Sequence, residues 1–389
     1  MTGKIKREGC EYYKKCGGCQ LRNLTYEEQI RLKRSEVIKL IGRYCRVAPV
    51  VAMEDPERYR YKAQAAFARH RGVTVAGIYR SSEHTVVPVK RCMIQEAECD
   101  EVIQTVISLA RSLDISIFNE NTLKGGLRHV QVRKGFNSLQ IMAVLVTGDE
   151  KVARLDELVS LLVQKMPSVT TVIQNVNPKF TNMVLGEKNR VLYGAGYIED
   201  LIDGMRFRIS PGAFYQVNPK QTGRLYALAV EAMGLSGSET VFDAYCGTGT
   251  IGLLASRSAG RVIGVESVAA AVGDARRNAE MNGVSNAEFY CADAGEFALE
   301  LAASGEKIDV LVMDPPRTGS DIKFLRSVAA LAPKRVVYVS CNPETLARDL
   351  RFLTSHGYKA KSAVPVDMFP FTRHVETVVL MTRTDAGKG

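Results

Sequence analysis

The feature that most constrains the fold is a regular alternation of strand and helix patterns in the carboxyl-terminal half of the chain. From Glu239 onward, short runs rich in Val and Ile alternate with longer helical runs. The strand runs are TVFDA, RVIGVE, AEFYC, KIDVLVM and VVYVS. Because parallel strands need crossover connections of this length, the pattern predicts an α/β domain with a doubly wound, Rossmann-like parallel sheet.

A glycine-rich loop follows the first of these strands. Gly247, Gly249 and Gly252 form a G-x-G-x-x-G triplet, which is typical of dinucleotide-binding loops. Asp243 ends the strand four residues earlier. A carboxylate there would repel the pyrophosphate of NAD, but it can hold the ammonium group of S-adenosylmethionine. The sequence therefore favours S-adenosylmethionine, with NAD as the alternative.

Acidic residues also follow the next three strands. Glu266, at the tip of the second strand, suits the paired ribose hydroxyls of either nucleotide. Asp293, after the third strand, can accept a hydrogen bond from an adenine amino group. Asp314 opens the sequence Asp-Pro-Pro-Arg at the end of the fourth strand. Enzymes that methylate exocyclic amines usually have an aromatic residue where Arg317 stands, so that reaction is disfavoured. The alternative is a proline pair that only ends the strand.

Cys341 lies at the end of the fifth strand. The strand stops at Ser340, and Pro343 then opens a helical run. Ligands of open α/β sheets bind at the carboxyl ends of the strands, so Cys341 is a candidate nucleophile. The alternative is a small buried hydrophobic residue, which is the usual role of an intracellular cysteine.

A second group of cysteines lies near the amino terminus. The chain has nine cysteines, and its amino terminus is basic and cysteine-rich where a signal peptide would be apolar. Disulfides are therefore improbable, and clustered thiols indicate metal binding or catalysis. Cys10, Cys16 and Cys19 have the spacing C-x5-C-x2-C, and two glycines between the last two allow a tight turn.

Three thiolates need a fourth metal ligand. Cys92 is the best candidate, with Cys99 in reserve. Four sulfurs fit either a tetrahedral zinc ion or a [4Fe-4S] cluster. Three close cysteines with a remote fourth are more typical of the cluster, so the spacing favours iron and sulfur over zinc, with no metal at all as a third alternative.

The segment between the cysteines and the α/β domain has two sections. Residues 25–41 have the pattern of a basic amphipathic helix that begins with a capping box of Thr25 and Glu28. Residues 59–182 contain short alternating segments, which predict a mixed, mainly antiparallel domain with helices near 101–113 and 151–165.

These patterns divide the chain into three regions. We expect a cysteine segment with the basic helix, a central mixed domain and a nucleotide-binding domain, over residues 1–58, 59–205 and 206–389. The last domain begins with a Gly- and Pro-rich loop, where the polar side chain of Gln216 is placed to meet a ligand. An ordinary connector is the alternative.

Charge indicates a polyanionic partner. The 52 Lys and Arg residues exceed the 42 Asp and Glu residues, which gives a net charge of +10 spread along the chain. Residues 58–71 interleave cations with Tyr59, Tyr61 and Phe67, a mixture that suits RNA because aromatic faces can stack on unpaired bases. The alternative is a basic enzyme with solvated charges. No apolar run approaches the roughly 18 residues of a membrane span, so we place the chain in the cytoplasm. We also expect a monomer.

Four motifs occur in a characteristic order: DAYCGTGTIG, DPPRTG, VSCNPETLARDL and PFTRHVETVVL. Together they closely resemble the RNA uracil-C5 methyltransferase family, which modifies transfer and ribosomal RNA, and the match is strong over residues 207–383. The amino-terminal cysteines resemble the iron-sulfur site of the branch that modifies 23S ribosomal RNA. The resemblance implies a class I S-adenosylmethionine-dependent domain, preceded by a mixed α+β RNA-binding domain with an iron-sulfur cluster.

The resemblance also assigns residues to roles. It implies that Cys341 is the nucleophile and Glu376 the base, although the strand HVETVVLM by its own pattern reads as an edge strand with a solvent-facing glutamate. The implied donor-binding residues are Gln216, Tyr245, Glu266 and Asp314, and the implied cluster ligands are Cys10, Cys16, Cys19 and Cys92.

One departure concerns RNA binding. Only nine residues precede Cys10, whereas many members of the ribosomal RNA branch carry a small β-barrel RNA-binding domain before the cysteines. RNA binding is therefore expected from the central domain. Transfer RNA is the alternative substrate.

The chemistry of uracil explains why a cysteine is needed. C5 is a poor nucleophile until a thiolate adds to C6 and creates an enolate, after which C5 can take the methyl group. A base must then remove the C5 proton so that sulfur can leave. Unstacking costs a few kcal/mol and least in a loop, so we expect a flipped loop uridine. The rivals are a non-catalytic RNA-binding iron-sulfur protein and an NAD oxidoreductase that uses the cluster as an electron relay.

Overall fold

The computed structural model describes residues 10–80 and 85–384. They form two compact units, each assembled from separate segments of the chain. Of these residues, the first unit takes 10–23, 56–80, 85–201 and 208–212, and the second takes 24–55, 202–207 and 213–384.

The strands, in chain order, are β1 (Arg46–Val47), β2 (Lys62–His70), β3 (Val73–Tyr79), β4 (Val86–Pro88), β5 (Leu127–Lys134), β6 (Ile141–Thr147), β7 (Val169–Val176), β8 (Lys188–Tyr193), β9 (Ile198–Ile202), β10 (Met205–Ile209), β11 (Thr240–Ala244), β12 (Arg261–Glu266), β13 (Ala287–Cys291), β14 (Val310–Met313), β15 (Arg335–Ser340), β16 (Tyr358–Val366) and β17 (Glu376–Arg383). The helices are α1 (Tyr13–Cys16), α2 (Tyr26–Ile41), α3 (Ala97–Ser112), α4 (Leu155–Lys165), α5 (Pro219–Met233), α6 (Thr250–Ser256), α7 (Ala269–Met281), α8 (Ala294–Ser304), α9 (Ile322–Leu331) and α10 (Pro343–Ser355). Across 10–80 and 85–384, every helix is too short or too polar to cross a lipid bilayer.

The second unit is built on a sheet with the strand order β1-β16-β17-β15-β14-β11-β12-β13. The five strands predicted from the alternating pattern, β11 to β15, pair in parallel, which confirms the Rossmann-like core. Beyond these five strands the sheet also contains β17, which runs antiparallel to both β15 and β16. The nine residues 367–375 between β16 and β17 are too few for a parallel crossover, so the two strands form a hairpin.

Both faces of this sheet are buried. Phe242 and Leu311 belong to one hydrophobic core, whereas Val241 and Val310, their neighbours in the chain, belong to the other. Because successive residues of a strand point to opposite faces, a strand buried on both sides consists of consecutive apolar residues. This is why the sequence identified these strands clearly.

Helix α2 packs in the second unit. The predicted capping box is confirmed, since the Thr25 side chain accepts from the Glu28 backbone and the Glu28 side chain accepts from that of Thr25. Val37 and Ile41 are fully buried in one of the two cores of the sheet. Helix α2 thus belongs to the second unit, whereas the predicted region 1–58 had grouped it with the cysteine segment.

The first unit contains a seven-stranded sheet in the order β4-β3-β2-β5-β6-β7-β8. Its strands are antiparallel except for the pair β6 and β7, which confirms the predicted mixed, mainly antiparallel domain. The two predicted helices, α3 and α4, supply apolar side chains to its core. Helix α4 begins later than the pattern predicted, because Arg154 before it has a left-handed φ of 62°.

Candidate active site

Cys341 lies directly after β15, at the carboxyl end of the parallel strands, as predicted. Asn342 turns the chain into α10, since its side chain accepts from the Glu344 backbone N–H at 3.0 Å, and Pro343 occupies the first turn. A strand end followed at once by a capped helix holds the thiol in the crevice where this type of sheet binds ligands. Cys341 itself is partly exposed.

Glu376 lies beside this thiol. Strands β15 and β17 pair Ser340 with Thr377, so the next position along each strand brings Cys341 opposite Glu376. The expectation of an edge strand with a solvent-facing glutamate is wrong, because β17 lies between β15 and β16 and Glu376 is only 3% exposed. A buried carboxyl at this position is available to a bound ligand.

The loop after β14 brings Asp314 and Arg317 close to Cys341 and Glu376. The Arg317 carbonyl accepts from the Asn342 side-chain amide at 3.1 Å and from the Thr345 hydroxyl at 3.4 Å. These bonds tie the Asp-Pro-Pro-Arg loop to the start of α10. Asp314 and Arg317 are thereby held close to Cys341, at the ends of two adjacent strands.

The three titrating side chains of this group affect one another. Burial, together with the charges of Glu376 and Asp314, raises the pKa of Cys341 to about 11, and Arg317 opposes this rise. Burial and the neighbouring Asp314 raise the pKa of Glu376 to about 8, again opposed by Arg317. Burial raises the pKa of Asp314 to about 7. Both carboxyl groups therefore hold a proton more readily than an exposed carboxyl group does, which is suited to proton transfer.

Gln216 contacts Tyr226, a residue that the sequence did not mark and that lies near Asp314 and Glu376. The Gln216 side chain is buried and lies against the hydroxyl of Tyr226 on α5. Burial raises the pKa of Tyr226 well above its usual value, and the charges of Asp314 and Glu376 act in the same direction. No motif in the sequence marks Tyr226, because its position follows only from how α5 packs on the sheet.

The glycine triplet has the geometry of a ligand-binding turn. Gly247 and Gly249 have left-handed φ angles of 54° and 78°, which other residues rarely adopt. A Cβ on Gly252 would lie 2.8 Å from an Asp243 carboxyl oxygen, and the Gly252 N–H donates to that oxygen at 2.8 Å. The buried Asp243 thus fixes the turn through one oxygen, and burial raises its pKa to about 7.

The other predicted donor-binding residues surround this turn. Glu266 accepts from the backbone N–H of Gly247 at 3.2 Å and of Val268 at 2.9 Å, so its carboxylate is fixed at the tip of β12. Tyr245 has a left-handed φ of 64° and packs its ring against Phe324. Burial raises the pKa of Tyr245 to about 12.

Asp293 has a structural partner that the sequence did not reveal. One of its carboxyl oxygens caps α8 by accepting from the backbone N–H of Gly295 and of Glu296, each at 3.0 Å. The cap fixes the side chain at the end of β13. Its second oxygen is therefore the one available to a ligand.

The four amino-terminal cysteines line one cavity of the first unit. Cys10, Cys16, Cys19 and Cys92 all contribute to its wall. Gly17 has a left-handed φ of 71°, as the tight turn requires. Burial, together with the other three thiols, raises the pKa of Cys19 to about 12.

Two findings qualify this cysteine cavity. Cys99, the reserve ligand, is instead fully buried in α3 and does not contribute to the cavity wall. Among residues 10–80 and 85–384, no group of three or more Cys, His, Asp or Glu side chains is arranged to hold a metal ion. The structure therefore brings the four predicted ligands to one place without forming a metal site.

The predicted RNA-binding stretch is corrected in part. Tyr59 is fully buried and Phe67 is 5% exposed, so neither ring can stack on a base. Arg58 donates to the carbonyl oxygens of Cys92 and Gln95, each at 3.1 Å, which is a structural role. Lys62 lies opposite Arg133 across β2 and β5, and burial lowers its pKa to about 7. Tyr59 and Phe67 were misassigned because composition does not reveal which way a side chain points.

Comparisons with known proteins agree with this geometry. A model of the tRNA (Uracil-5-)-methyltransferase family matches residues 25–384. An uncharacterised RNA methyltransferase of Halalkalibacterium halodurans is 45% identical over 377 residues, which cover 96% of this chain and 82% of that protein. One from Clostridium tetani is 44% identical with the same coverage. The crystal structure of Pyrococcus abyssi tRNA (uracil-54, C5)-methyltransferase in complex with S-adenosyl-L-homocysteine has a TM-score of 0.78 at 27% identity, covering 94% of this chain and 86% of that one.

Proposed function

Because the chain belongs to the tRNA (uracil-5-)-methyltransferase family, whose members are S-adenosylmethionine-dependent RNA methyltransferases, we propose that it methylates C5 of a flipped uridine in 23S ribosomal RNA through Cys341. The observation that carries this function is one thiol at a strand end, opposite the buried Glu376 carboxyl group and close to that of Asp314. A nucleophile and a proton acceptor are the two groups that the chemistry of uracil C5 requires.

Cys341 opens the reaction. Its thiol loses a proton, its sulfur bonds to C6 of the uracil, and the electrons of the C5–C6 double bond move toward O4. C5 of the resulting enolate then attacks the sulfonium methyl group, so that a carbon–sulfur bond of the donor breaks and S-adenosylhomocysteine is left. Arg317 favours this first step, because its charge lowers the pKa of Cys341.

Glu376 closes the reaction. It takes the proton that C5 still carries after methylation, the C5–C6 double bond forms again, and the bond between C6 and sulfur breaks. A carboxyl group with a pKa of about 8 is a stronger base than an exposed glutamate, because burial disfavours its charged form. Asp314, held on the adjacent strand, is placed to meet the uracil or the donor.

The methyl donor would be held around the glycine turn. Backbone N–H groups of the turn, the carboxylates of Glu266 and Asp293, and the ring of Tyr245 stand at adjacent strand ends. Gln216 and Asp314 lie on the side of this crevice nearer to Cys341. This order would place the sulfonium methyl group between the nucleotide half of the donor and the thiol.

We also propose that Cys10, Cys16, Cys19 and Cys92 hold a [4Fe-4S] cluster. Four thiols at one cavity are the donor set that such a cluster requires. When bound, the cluster would link the segment before α2 to residue 92 and so contribute folding free energy. Anaerobically purified protein should absorb near 400 nm and contain about four iron atoms per chain. A colourless protein with one zinc ion would contradict the cluster.

Ribosomal and transfer RNA are both substrates to be tested. The cysteine cavity supports ribosomal RNA, through its resemblance to the iron-sulfur site of that branch. Transfer RNA is the second candidate, because the matched family and the Pyrococcus abyssi enzyme both carry it in their names. The geometry around Cys341 serves either RNA equally, since it acts on the base alone.

The deciding experiment offers both RNAs to the same preparation. The protein is incubated with radiolabelled S-adenosylmethionine and unmodified 23S ribosomal RNA or unmodified transfer RNA, and 5-methyluridine is mapped in each. We expect the modified nucleoside in 23S ribosomal RNA. Label confined to transfer RNA would overturn the substrate assignment, and label at a position other than uridine C5 would overturn the reaction. RNA with 5-fluorouridine at the mapped position should form a covalent complex with Cys341, because fluorine cannot leave as a proton does.

A further inference from the structure

The loop that precedes Glu376 is long for a hairpin and yet firmly held. Residues 367–375 connect β16 to β17, and Val366 at one end of the loop pairs with Glu376 at the other. Any displacement of the loop would therefore move Glu376 directly. Long surface loops are usually mobile, so something must fix this one if Glu376 is to keep its position.

Helix α2 fixes the start of the loop through a buried ion pair. The Lys33 ammonium group donates to an Asp367 carboxyl oxygen at 2.5 Å and to the Phe369 carbonyl at 3.0 Å. The side chains of Lys33 and Asp367 are both fully buried. The Tyr26 hydroxyl donates to the second carboxyl oxygen at 2.9 Å, so both oxygens of Asp367 have partners.

The same helix fixes the middle of the loop. The Gln29 side-chain oxygen accepts from the Phe371 backbone N–H at 2.8 Å, and Gln29 is itself fully buried. Phe371 has a left-handed φ of 67°, a conformation that costs energy for a residue other than glycine. Such a conformation persists only where its surroundings hold it, and Gln29 is one of the groups that hold it here.

A third attachment comes from the segment after Gln216. The Asn218 side-chain amide donates to the Met368 carbonyl at 2.9 Å, and the Gln221 amide donates to the Asp367 carbonyl at 3.2 Å. Polar side chains outside the loop therefore hold it in a buried environment, in addition to the apolar contacts of its own residues. A buried ion pair is a poor source of stability, because its desolvation offsets most of its attraction.

We propose that Lys33 and Gln29 are positioning residues that hold the loop 367–375, and through it Glu376, in the geometry needed to remove the C5 proton. This role rests on the proposed function, in which Glu376 is the base. Losing either anchor affects the elimination step, whereas the addition of Cys341 to C6 depends on β15 and α10, which the loop does not hold.

The test separates these two steps. The variants are Lys33→Met and Gln29→Met, and the control is Arg34→Met, whose side chain on the same helix donates to the carbonyls of Val47 and Ala48 instead of the loop. Addition is followed by covalent trapping on 5-fluorouridine RNA. Elimination is followed by the release of tritium from RNA that carries 5-tritiated uridine. Glu376→Gln is run in parallel as the reference for a lost base.

We expect Lys33→Met and Gln29→Met to trap at nearly the parent rate and to release tritium roughly tenfold more slowly or worse, because small misplacements of a catalytic group are costly. A covalent complex with ordinary RNA should then accumulate on denaturing gels. Gln29→Met keeps the ion pair and serves if Lys33→Met fails to fold. If both variants release tritium as Arg34→Met does while Glu376→Gln is blocked, the positioning role is overturned. If Glu376→Gln itself releases tritium normally, the proposed base is wrong instead.

Discussion

Cys341 and the four amino-terminal cysteines have different surroundings. Cys341 stands alone at a strand end, beside two carboxyl groups and one arginine. Cys19 shares a cavity with three other thiols, and within the described residues no acidic side chain lines that cavity. Burial raises the pKa of both thiols, to about 11 for Cys341 and to about 12 for Cys19.

The difference teaches that burial alone does not define what a cysteine does. A single thiol beside proton acceptors can attack a substrate and then leave, which is the cycle of a nucleophile. Several thiols around one space lose their protons together when a metal binds, because the metal takes the place of those protons. The two groups should therefore fail independently when their residues are changed.

The largest expected effect is that of Cys341→Ala. Without the sulfur, C5 of uracil cannot be activated, so turnover should fall by about 10⁴-fold or more. Binding of S-adenosylmethionine, measured by calorimetry, should be unchanged, and so should any absorbance near 400 nm. Cys45→Ala, another partly exposed cysteine of the second unit, is the control. Methylation by Cys341→Ala at the parent rate would exclude the nucleophile.

Glu376→Gln should reduce turnover by about 10²- to 10⁴-fold, the usual contribution of a general base. Addition and methyl transfer precede the proton removal, so the methylated RNA should stay bound to Cys341. Denaturing electrophoresis of protein with labelled RNA would show the complex. If turnover fell and no trapped complex formed, Glu376 would act before methyl transfer, and its separate role in elimination would be wrong.

Arg317→Met tests the electrostatic contrast. The arginine lowers the pKa of Cys341, so its removal should raise that pKa and leave less thiolate at any pH below about 11. Trapping on 5-fluorouridine RNA should rise with pH in the parent protein. In the variant, we expect the same curve displaced to higher pH, with up to about tenfold slower trapping per unit of displacement. Arg326→Met, an exposed change on α9, should leave the curve in place.

Cys16→Ala should have the smallest effect on the chemistry. The variant should lose absorbance near 400 nm and its thermal unfolding midpoint should fall by about 5 °C or more, since a structural metal site stabilises the fold around it. Trapping on a short 5-fluorouridine RNA should stay within about twofold of the parent, because Cys341 and its neighbours are intact. Cys99→Ala, buried outside the cysteine cavity, should keep the absorbance. If Cys16→Ala lost trapping as completely as Cys341→Ala, the cysteine cavity and the Cys341 site would be coupled.

The sequence predicted the parallel core well because both of its faces are buried. Strands such as β11 and β15 consist of consecutive apolar residues, and their ends are marked by glycine, proline and acidic residues. Cys341 and Asp314 could be placed for the same reason, since a residue at a strand end follows from the strand. The position of β17 could not be predicted, because insertion between β15 and β16 depends on long-range pairing.

Side-chain direction limited the prediction of the site. Tyr226 carries no local signal, and its contact with Gln216 exists only after α5 has packed. Tyr59 and Phe67 looked available to RNA because they stand among cations, but both point into the protein. The same limit concealed the second role of Asp293, which caps α8.

The ion pair of Lys33 with Asp367 joins residues 334 positions apart in the chain. At synthesis rates of about 5–20 residues per second, the lysine emerges roughly 20–70 s before its partner is made. During that interval the apolar face of α2 has no sheet to cover it. A fragment of residues 206–389 would contain Asp367 but lack Lys33, so the buried carboxylate would have no cation beside it. Any attempt to isolate the methyltransferase half must therefore carry residues 24–55 with it.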